Sequence, residues 1–260
     1  SITSCPTMFV SQRYATTPPT TSANATIRSQ GRRRRRGASR MRIGMTAPRR
    51  ISPTLHLLFG LDEGATSPSL NDYLRDECAI EQAVRDLTPF LETEVHGRVF
   101  VVPASADLAA IARGLREGDN VSRLGDGYSR LIEALRLDAL VIDTHAELSE
   151  TTLLSLAVSD VAAIVLNLDQ QGYQGTSVIV ALAHRLEIPR PVLIVNQIPL
   201  HFGLTEVKKR VEQTYHCEVA AVLPYSDELL ALAGGGIFAL RHPAHPLTAM
   251  LRETAANLPG

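Results

Sequence analysis

The chain has 260 residues, and its 26 Lys and Arg nearly balance its 27 Asp and Glu, for a formal net charge of −1. This length suffices for one large domain with a sizeable core, and no apolar run approaches the roughly 18 residues of a transmembrane helix. The three cysteines (Cys5, Cys78 and Cys217) are few and widely spaced, which argues against a disulfide framework or a zinc site and favours a cytoplasmic protein.

The charge is distributed unevenly along the chain. Residues 1–61 contain 11 Arg and no Lys, Asp or Glu, so the remainder holds 15 basic and 27 acidic residues. Residues 1–50 show neither helical nor strand periodicity, and we expect them to be disordered. Three interpretations are open: a basic arm that binds nucleic acid or membrane, an Arg-rich organellar transit peptide, or an out-of-frame translation.

Residues 51–260 show alternating patterns of an α/β domain. Periodic apolar positions predict helices over Asn71–Leu74, Ile80–Leu87, Ser105–Leu115, Val121–Leu135, a segment that starts at Ser149, Gly175–Leu186, Thr205–Tyr215, Ser226–Leu232 and Pro246–Leu258. Short apolar runs predict strands over Arg98–Val102, Ala139–Ile142, Val161–Leu166, Val192–Val195 and Glu218–Leu223. This alternation predicts a doubly wound, mostly parallel sheet.

Polar residues end two of the predicted strands. Asp143 follows the apolar run Ala139–Ile142, and Asn196 follows Val192–Val195. In an open α/β sheet, residues at the carboxyl ends of strands face the ligand crevice. The pattern therefore indicates a nucleotide site.

Several segments in colinear order resemble the MinD/ParA family of deviant-Walker P-loop ATPases, and especially its stand-alone bacterial MinD-like members. They are SPTLHLLFGLDEG, VFVVPAS, VIDTHAELSETTLLSLAVSD, LDQQGYQGT, LIVNQIP and VAAVLPYSDELLALAGGG. The resemblance implies a P-loop NTPase-like fold that uses ATP and Mg²⁺. It also implies a homodimer that forms on ATP binding and serves chromosome partitioning, cell division or cargo positioning through a protein partner that the sequence does not identify.

The resemblance also implies roles for matching positions. Asp143 would hold Mg²⁺ through water or orient the attacking water, and Asn196 would contact adenine through its amide. Asp169–Gln171 would form a loop near the nucleotide or the dimer partner. Further positions near the nucleotide are Ser52 in the first switch region, Thr144 and His145 in the second, and Pro224, Tyr225 and Ser226 in the loop over the base.

The phosphate-binding loop of this family is missing. Members carry a loop of the form KGGxGK(S/T) after their first strand, whereas the one three-glycine run here, Gly234–Gly236, is not followed by Lys and Ser or Thr. The interval from Met8 to Ser52 has about the length that the missing elements need. We therefore hypothesise that residues from about 11 to 50 are mistranslated sequence in place of the P-loop, and that the chain as written binds ATP weakly or not at all and does not hydrolyse it.

Three functional hypotheses follow. The first is an ATP-dependent switch, the second a nucleotide-free scaffold of the same fold that acts by protein binding, and the third a DNA-binding tail formed by residues 1–50. The last predicted helix carries one Arg and one Glu in AMLRETAANL. We therefore expect no basic amphipathic membrane helix there.

Overall fold

The computed structural model describes residues 8–12, 40–46, 59, 67–91, 97–105, 120–144, 149–232 and 235–258. The strands in these ranges are β1 Met8–Gln12, β2 Arg40–Thr46, β3 Arg85–Asp86, β4 Gly97–Val102, β5 Ala139–Thr144, β6 Val161–Asn167, β7 Arg190–Ile198 and β8 Glu218–Pro224. The α-helices are α1 Leu70–Leu74, α2 Leu124–Leu135, α3 Glu150–Ala157, α4 Gln170–Arg185, α5 Leu204–Tyr215, α6 Asp227–Leu232, α7 Phe238–Arg241 and α8 Pro246–Asn257. Short 3₁₀ helices cover Ile80–Ala83, Thr88–Phe90 and Val121–Arg123.

The eight strands of the described ranges form one sheet in the order β3-β4-β2-β5-β1-β6-β7-β8. β4, β2 and β5 pair in parallel, as do β6, β7 and β8. β1 lies between β5 and β6 and runs antiparallel to both. The predicted doubly wound, mostly parallel sheet is therefore confirmed, with one reversed strand at its centre.

Helices pack on both faces of the sheet. The larger core cluster joins one face to α2, α3, α4 and α5 through residues such as Leu131, Leu156 and Ile179. The smaller cluster joins the opposite face to α7 and α8 through Phe238 and Leu247. Since both faces are covered, β5, β6 and β7 contain continuous apolar runs, as their sequences indicate.

The structure differs from the predicted elements at three boundaries. β7 continues past Asn196 to Ile198, and α4 begins at Gln170, five residues before the predicted start. The predicted helix over Ile80–Leu87 is a 3₁₀ helix that ends at Ala83 and is followed by β3. Its buried residues recur at helical spacing, but β3 turns away to pair with β4. Most of the predicted helix Ser105–Leu115 lies outside the described residues.

Two strands lie in residues 1–50, where the sequence shows no strand periodicity. β1 fills the position between β5 and β6, and β2 fills the position between β4 and β5. The physical reason is the backbone: an unfilled gap inside the sheet would leave rows of N–H and C=O groups without partners. That residues 1–50 form a disordered segment separate from the α/β domain of residues 51–260 remains a prediction.

Arg190 joins the start of β7 to β8 and to the end of α8. Its guanidinium donates to both carboxylate oxygens of Glu218, at 3.2 and 2.8 Å, and to the carbonyl oxygens of Asn257 and Leu258, at 2.7 and 3.1 Å. The hydrogen bond from Arg190 lowers the pKa of Glu218. One side chain thus holds the last helix against the sheet.

Replacing Arg190 with Ala is expected to lower the free energy of unfolding by about 1–2 kcal/mol, because a forked ion pair and two carbonyl contacts are lost together. Urea unfolding at pH 7 measures the loss, and Arg190→Lys is expected to recover only part of it. The Glu218 pKa is lowered in the folded state, so the Glu218 contribution is lost as the pH falls below 4.5. Equal stability of Arg190→Ala and wild type at pH 7 would contradict this account.

Candidate functional site

The carboxyl ends of β5, β6, β7 and β8 meet at one edge of the sheet. These strands end at Thr144, Asn167, Ile198 and Pro224, and they share one direction. Ligand crevices in open α/β sheets lie at this edge. We call it the carboxyl edge.

Side-chain alternation places three polar residues of this edge on one sheet face. Leu140 and Ile142 belong to the larger core cluster, so Asp143 points to the opposite face. Val165 and Ile194 pack with the smaller cluster on that opposite face. By the same alternation, Asn167 and Asn196 share it with Asp143, on the side of α7 and α8. Thr144 is buried on the other side.

The positions matched to the adenine site lie together at the ends of β7 and β8. Ile198 pairs with Pro224, and the backbone N–H of Tyr225 donates to the carbonyl oxygen of Ile198 at 2.8 Å. The loop Pro224–Ser226 is therefore held beside the end of β7, where the half-buried Asn196 lies. The structure thus brings Asn196, Pro224, Tyr225 and Ser226 into one neighbourhood.

Within this loop, the side chains of Tyr225 and Ser226 have different surroundings. The Ser226 hydroxyl donates to Glu228 at 2.8 Å and accepts from the N–H of Leu229 at 3.2 Å, so it caps α6. The Tyr225 ring is exposed. Desolvation and the neighbouring Asp227 raise the pKa of Tyr225.

Asp143 is separated from this group by two strands. β1 and β6 lie between β5 and β7, which separates Asp143 from Asn196 by about 14 Å across the strands, at about 4.8 Å per strand. The register also places Asp143 level with Ala163 and Val192, so Asn196 lies four residues, or about 13 Å, further along the strand direction. Only an extended ligand would touch both. The remaining matched positions, Ser52 and His145, lie outside the described residues.

The direction of β1 does not suit a phosphate-binding loop. Met8 pairs with Thr144, and Gln12 pairs with Leu140, so the chain leaves β1 at the edge opposite to the crevice. A P-loop instead follows the carboxyl end of its strand. The sequence has only two lysines, Lys208 and Lys209, and both lie on α5. Among the described residues, no strand therefore carries the lysine and the direction that a P-loop needs at the carboxyl edge.

A metal centre built from protein ligands also lacks support. Across the described ranges, no group of three or more His, Cys, Asp or Glu side chains is arranged to hold a metal ion. Water-mediated Mg²⁺ binding needs fewer protein ligands, and Asp143 is the carboxylate at the expected strand end. Its role stays a prediction.

The resemblance implied a loop at Asp169–Gln171. The structure has a helix start there instead, because α4 begins within this segment. The Asp169 carboxylate accepts from the N–H of Gly172 at 2.6 Å and caps this helix. Sequence reasoning also missed Asn167, which ends β6 directly opposite Asn196. The rule that singled out Asn196, an amide after an apolar run, would have found Asn167 too.

An exposed apolar surface lies beside the neighbourhood formed by Asn196, Pro224, Tyr225 and Ser226. The loop after β7 exposes Leu200 and Phe202, and the segment after β8 exposes Tyr225, Leu229 and Leu230. Leu200 is 81% exposed and Leu230 is 64% exposed. No residue of α6 is buried. We call these five residues the apolar patch.

Known structures share this arrangement of elements. A MinD cell division protein from Aquifex aeolicus is 15% identical, with a TM-score of 0.64 over 84% of this chain and 84% of that chain. A ParA family ATPase from Chlorobium tepidum TLS is 16% identical, with a TM-score of 0.65 over 86% and 88% of the two chains. The cell division ATPase MinD of Pyrococcus furiosus is also 16% identical, with a TM-score of 0.64 over 84% of each chain.

Comparisons at the level of sequence give no match. No protein-family model and no curated protein matches the chain. Across the described ranges, no helix combines the length and apolar character needed to cross a membrane. On the structural likeness, the chain has the fold of the MinD and ParA ATPases.

Proposed function

We propose that this chain is a MinD/ParA-like switch protein that keeps the base side of an ATP site and, as written, lacks its phosphate side. The observation that supports this most strongly is the hydrogen bond between Tyr225 and Ile198, because it holds the proposed base loop beside Asn196. The direction of β1 supports the loss of the phosphate side. The chain would therefore bind the nucleoside part of ATP without hydrolysing it.

The protein with an intact P-loop would act as an ATP-dependent homodimer in partitioning, cell division or cargo positioning. ATP with Mg²⁺ would supply the energy of that switch, and Asp143 is the residue we assign to the ion, through water. Thr144 and His145 would begin the segment that responds to the nucleotide, and Ser52 would end the first switch region. Thr144 already packs in the core, so a change at the end of β5 would reach the interior directly.

Calorimetric titration with adenosine, ATP and Mg-ATP tests the proposal. We expect weak adenosine binding, ATP binding within about twofold of adenosine because no phosphate contact forms, and no phosphate release above the protein-free rate. Asn196→Ala should weaken adenosine binding about tenfold, since one hydrogen-bonded amide is lost. Gln213→Ala removes an exposed amide from α5 and should change nothing.

Two results would overturn the proposal in different ways. Mg-ATP binding far tighter than adenosine binding, or steady hydrolysis, would reveal a phosphate site that the direction of β1 does not provide. No adenosine binding by the folded protein would remove the base side as well.

The second outcome would favour a nucleotide-free scaffold that acts by protein binding. The apolar patch supports this alternative, because several large exposed apolar side chains in neighbouring loops are typical of an interaction surface. Its charged neighbours on α6 are Asp227 and Glu228. The third hypothesis, a nucleic-acid-binding tail, concerns residues 1–50, most of which lie outside the described residues, and it remains a prediction.

A further inference from the structure

The amide of Asn167 contains a buried acceptor. Its Oδ1 is shielded from solvent and has no hydrogen-bond partner among the described residues. The backbone carbonyl of the same residue does have one, because it accepts from the N–H of Asp169 at 2.9 Å. A buried acceptor without a donor destabilises the protein, so the Asn167 side chain calls for an explanation.

The turn after β6 does not provide a donor for this oxygen. The N–H of Gly172 is used by the Asp169 carboxylate at 2.6 Å. The first turn of α4 also lies tightly over the strand end, since a Cβ at position 172 would be 2.4 Å from the Asn167 carbonyl oxygen. The first turn of α4 therefore closely covers the backbone of Asn167, and its capped N–H at Gly172 is not free for the side-chain oxygen.

Asn196, the residue assigned to the base, lies on the neighbouring strand β7. Asn167 and Asn196 are direct partners in the parallel register of β6 and β7, and they share one sheet face. Directly paired residues of adjacent strands are about 5 Å apart. Two amides thus stand side by side at the carboxyl edge, and one of them has an unused acceptor.

We infer that Asn167 determines base specificity by accepting a hydrogen bond from the exocyclic amino group of the base. This inference rests on the proposed base site at Asn196. An amino group supplies the donor that Oδ1 lacks, whereas a keto group in the same place would set two acceptors against each other. A site built around such a hydrogen bond rejects the analogue that cannot form it.

Adenosine and inosine are the probes that test this inference, because inosine has a keto group where adenosine has the amino group. We expect the wild-type protein to bind adenosine at least about tenfold more tightly than inosine. Asn167→Leu keeps a similar volume without the acceptor and should bring the two affinities within about twofold. Asn167→Asp keeps the acceptor and should retain the preference for adenosine.

A measurement without ligand separates this role from a structural one. If the amide serves a ligand, Asn167→Leu should leave the thermal unfolding midpoint of the ligand-free protein unchanged or raise it, because an unpaired buried acceptor is removed. A lower midpoint would assign Asn167 to the fold and overturn the inference.

The failures of the inference and of the proposed function are distinguishable. If wild type binds adenosine and Asn167→Leu keeps the preference, or Asn167→Asp loses it, the inference is overturned and the base site at Asn196 stands. If the folded wild-type protein binds neither nucleoside, the proposed function and the inference fall together.

Discussion

Replacing Val10 with Pro is expected to lower the free energy of unfolding by about 3 kcal/mol or more. Val10 lies in the middle of β1, paired with Ile142 on one side and Ala162 on the other. Proline has no N–H to donate, fixes φ, and is tolerated in sheets essentially only at edges and bulges. Since β1 is the strand that joins β5 to β6 in the described sheet, damage there separates its two halves. Chemical unfolding followed by circular dichroism measures the effect.

Val10→Thr is the matched control, because threonine keeps the N–H and the β-branched shape. We expect it to cost much less than Val10→Pro. Equal stability of Val10→Pro and the control would contradict the placement of β1. It would favour the out-of-frame hypothesis, in which the authentic strand comes from another reading of the DNA that encodes residues 11–50. Translating that DNA in all three frames would then be expected to yield a GGTGKS-like loop.

Replacing Gly172 with Ala is expected to destabilise the protein by about 2 kcal/mol. The added methyl group would lie 2.4 Å from the carbonyl oxygen of Asn167 and 3.1 Å from the Asp169 carboxylate. The closer of these two atoms belongs to the backbone, so the strand end or the first turn of α4 must move. That movement would also weaken the cap that Asp169 provides. Thermal and urea unfolding report the loss.

Gly125→Ala provides a control of the opposite sign. Gly125 lies in the first turn of α2, and a Cβ there would meet nothing within 4 Å. Alanine in a helix is more favourable than glycine by roughly 0.5–1 kcal/mol, so this variant should be slightly more stable than wild type. Destabilisation by Gly125→Ala of the same size as by Gly172→Ala would show that the cost at Gly172 is not due to the close contact.

The sequence alone was sufficient for most of the sheet. Buried parallel strands appear as short, continuous apolar runs, and five such runs predicted β4, β5, β6, β7 and β8 close to their observed bounds. The Ser149 cap was also predictable, since its hydroxyl accepts from the N–H of Thr152 at 3.2 Å. The ends of these runs placed Asp143 and Asn196 at the edge where they lie.

The periodicity of neighbouring residues did not predict the elements whose structure depends on long-range contacts. β3 has two residues and lies at the edge of the described sheet, and it exists because Arg85 and Asp86 can pair with β4. The exposure of Leu229 and Leu230 also escaped prediction, because an amphipathic stretch does not reveal whether another element covers it.

By itself, the sequence determined the fold class, the core strands and the edge that carries the candidate site, because each depends on the apolar or polar character of consecutive residues. The tertiary structure alone decided the direction of β1 and the pairing of Asn167 with Asn196. Five residues such as MFVSQ can pair in either direction, and the choice depends on backbone hydrogen bonds with β5 and β6, which are more than a hundred residues away in the chain. That choice decides whether the chain leaves β1 at the carboxyl edge, where a P-loop would lie, or at the opposite edge, as it does here.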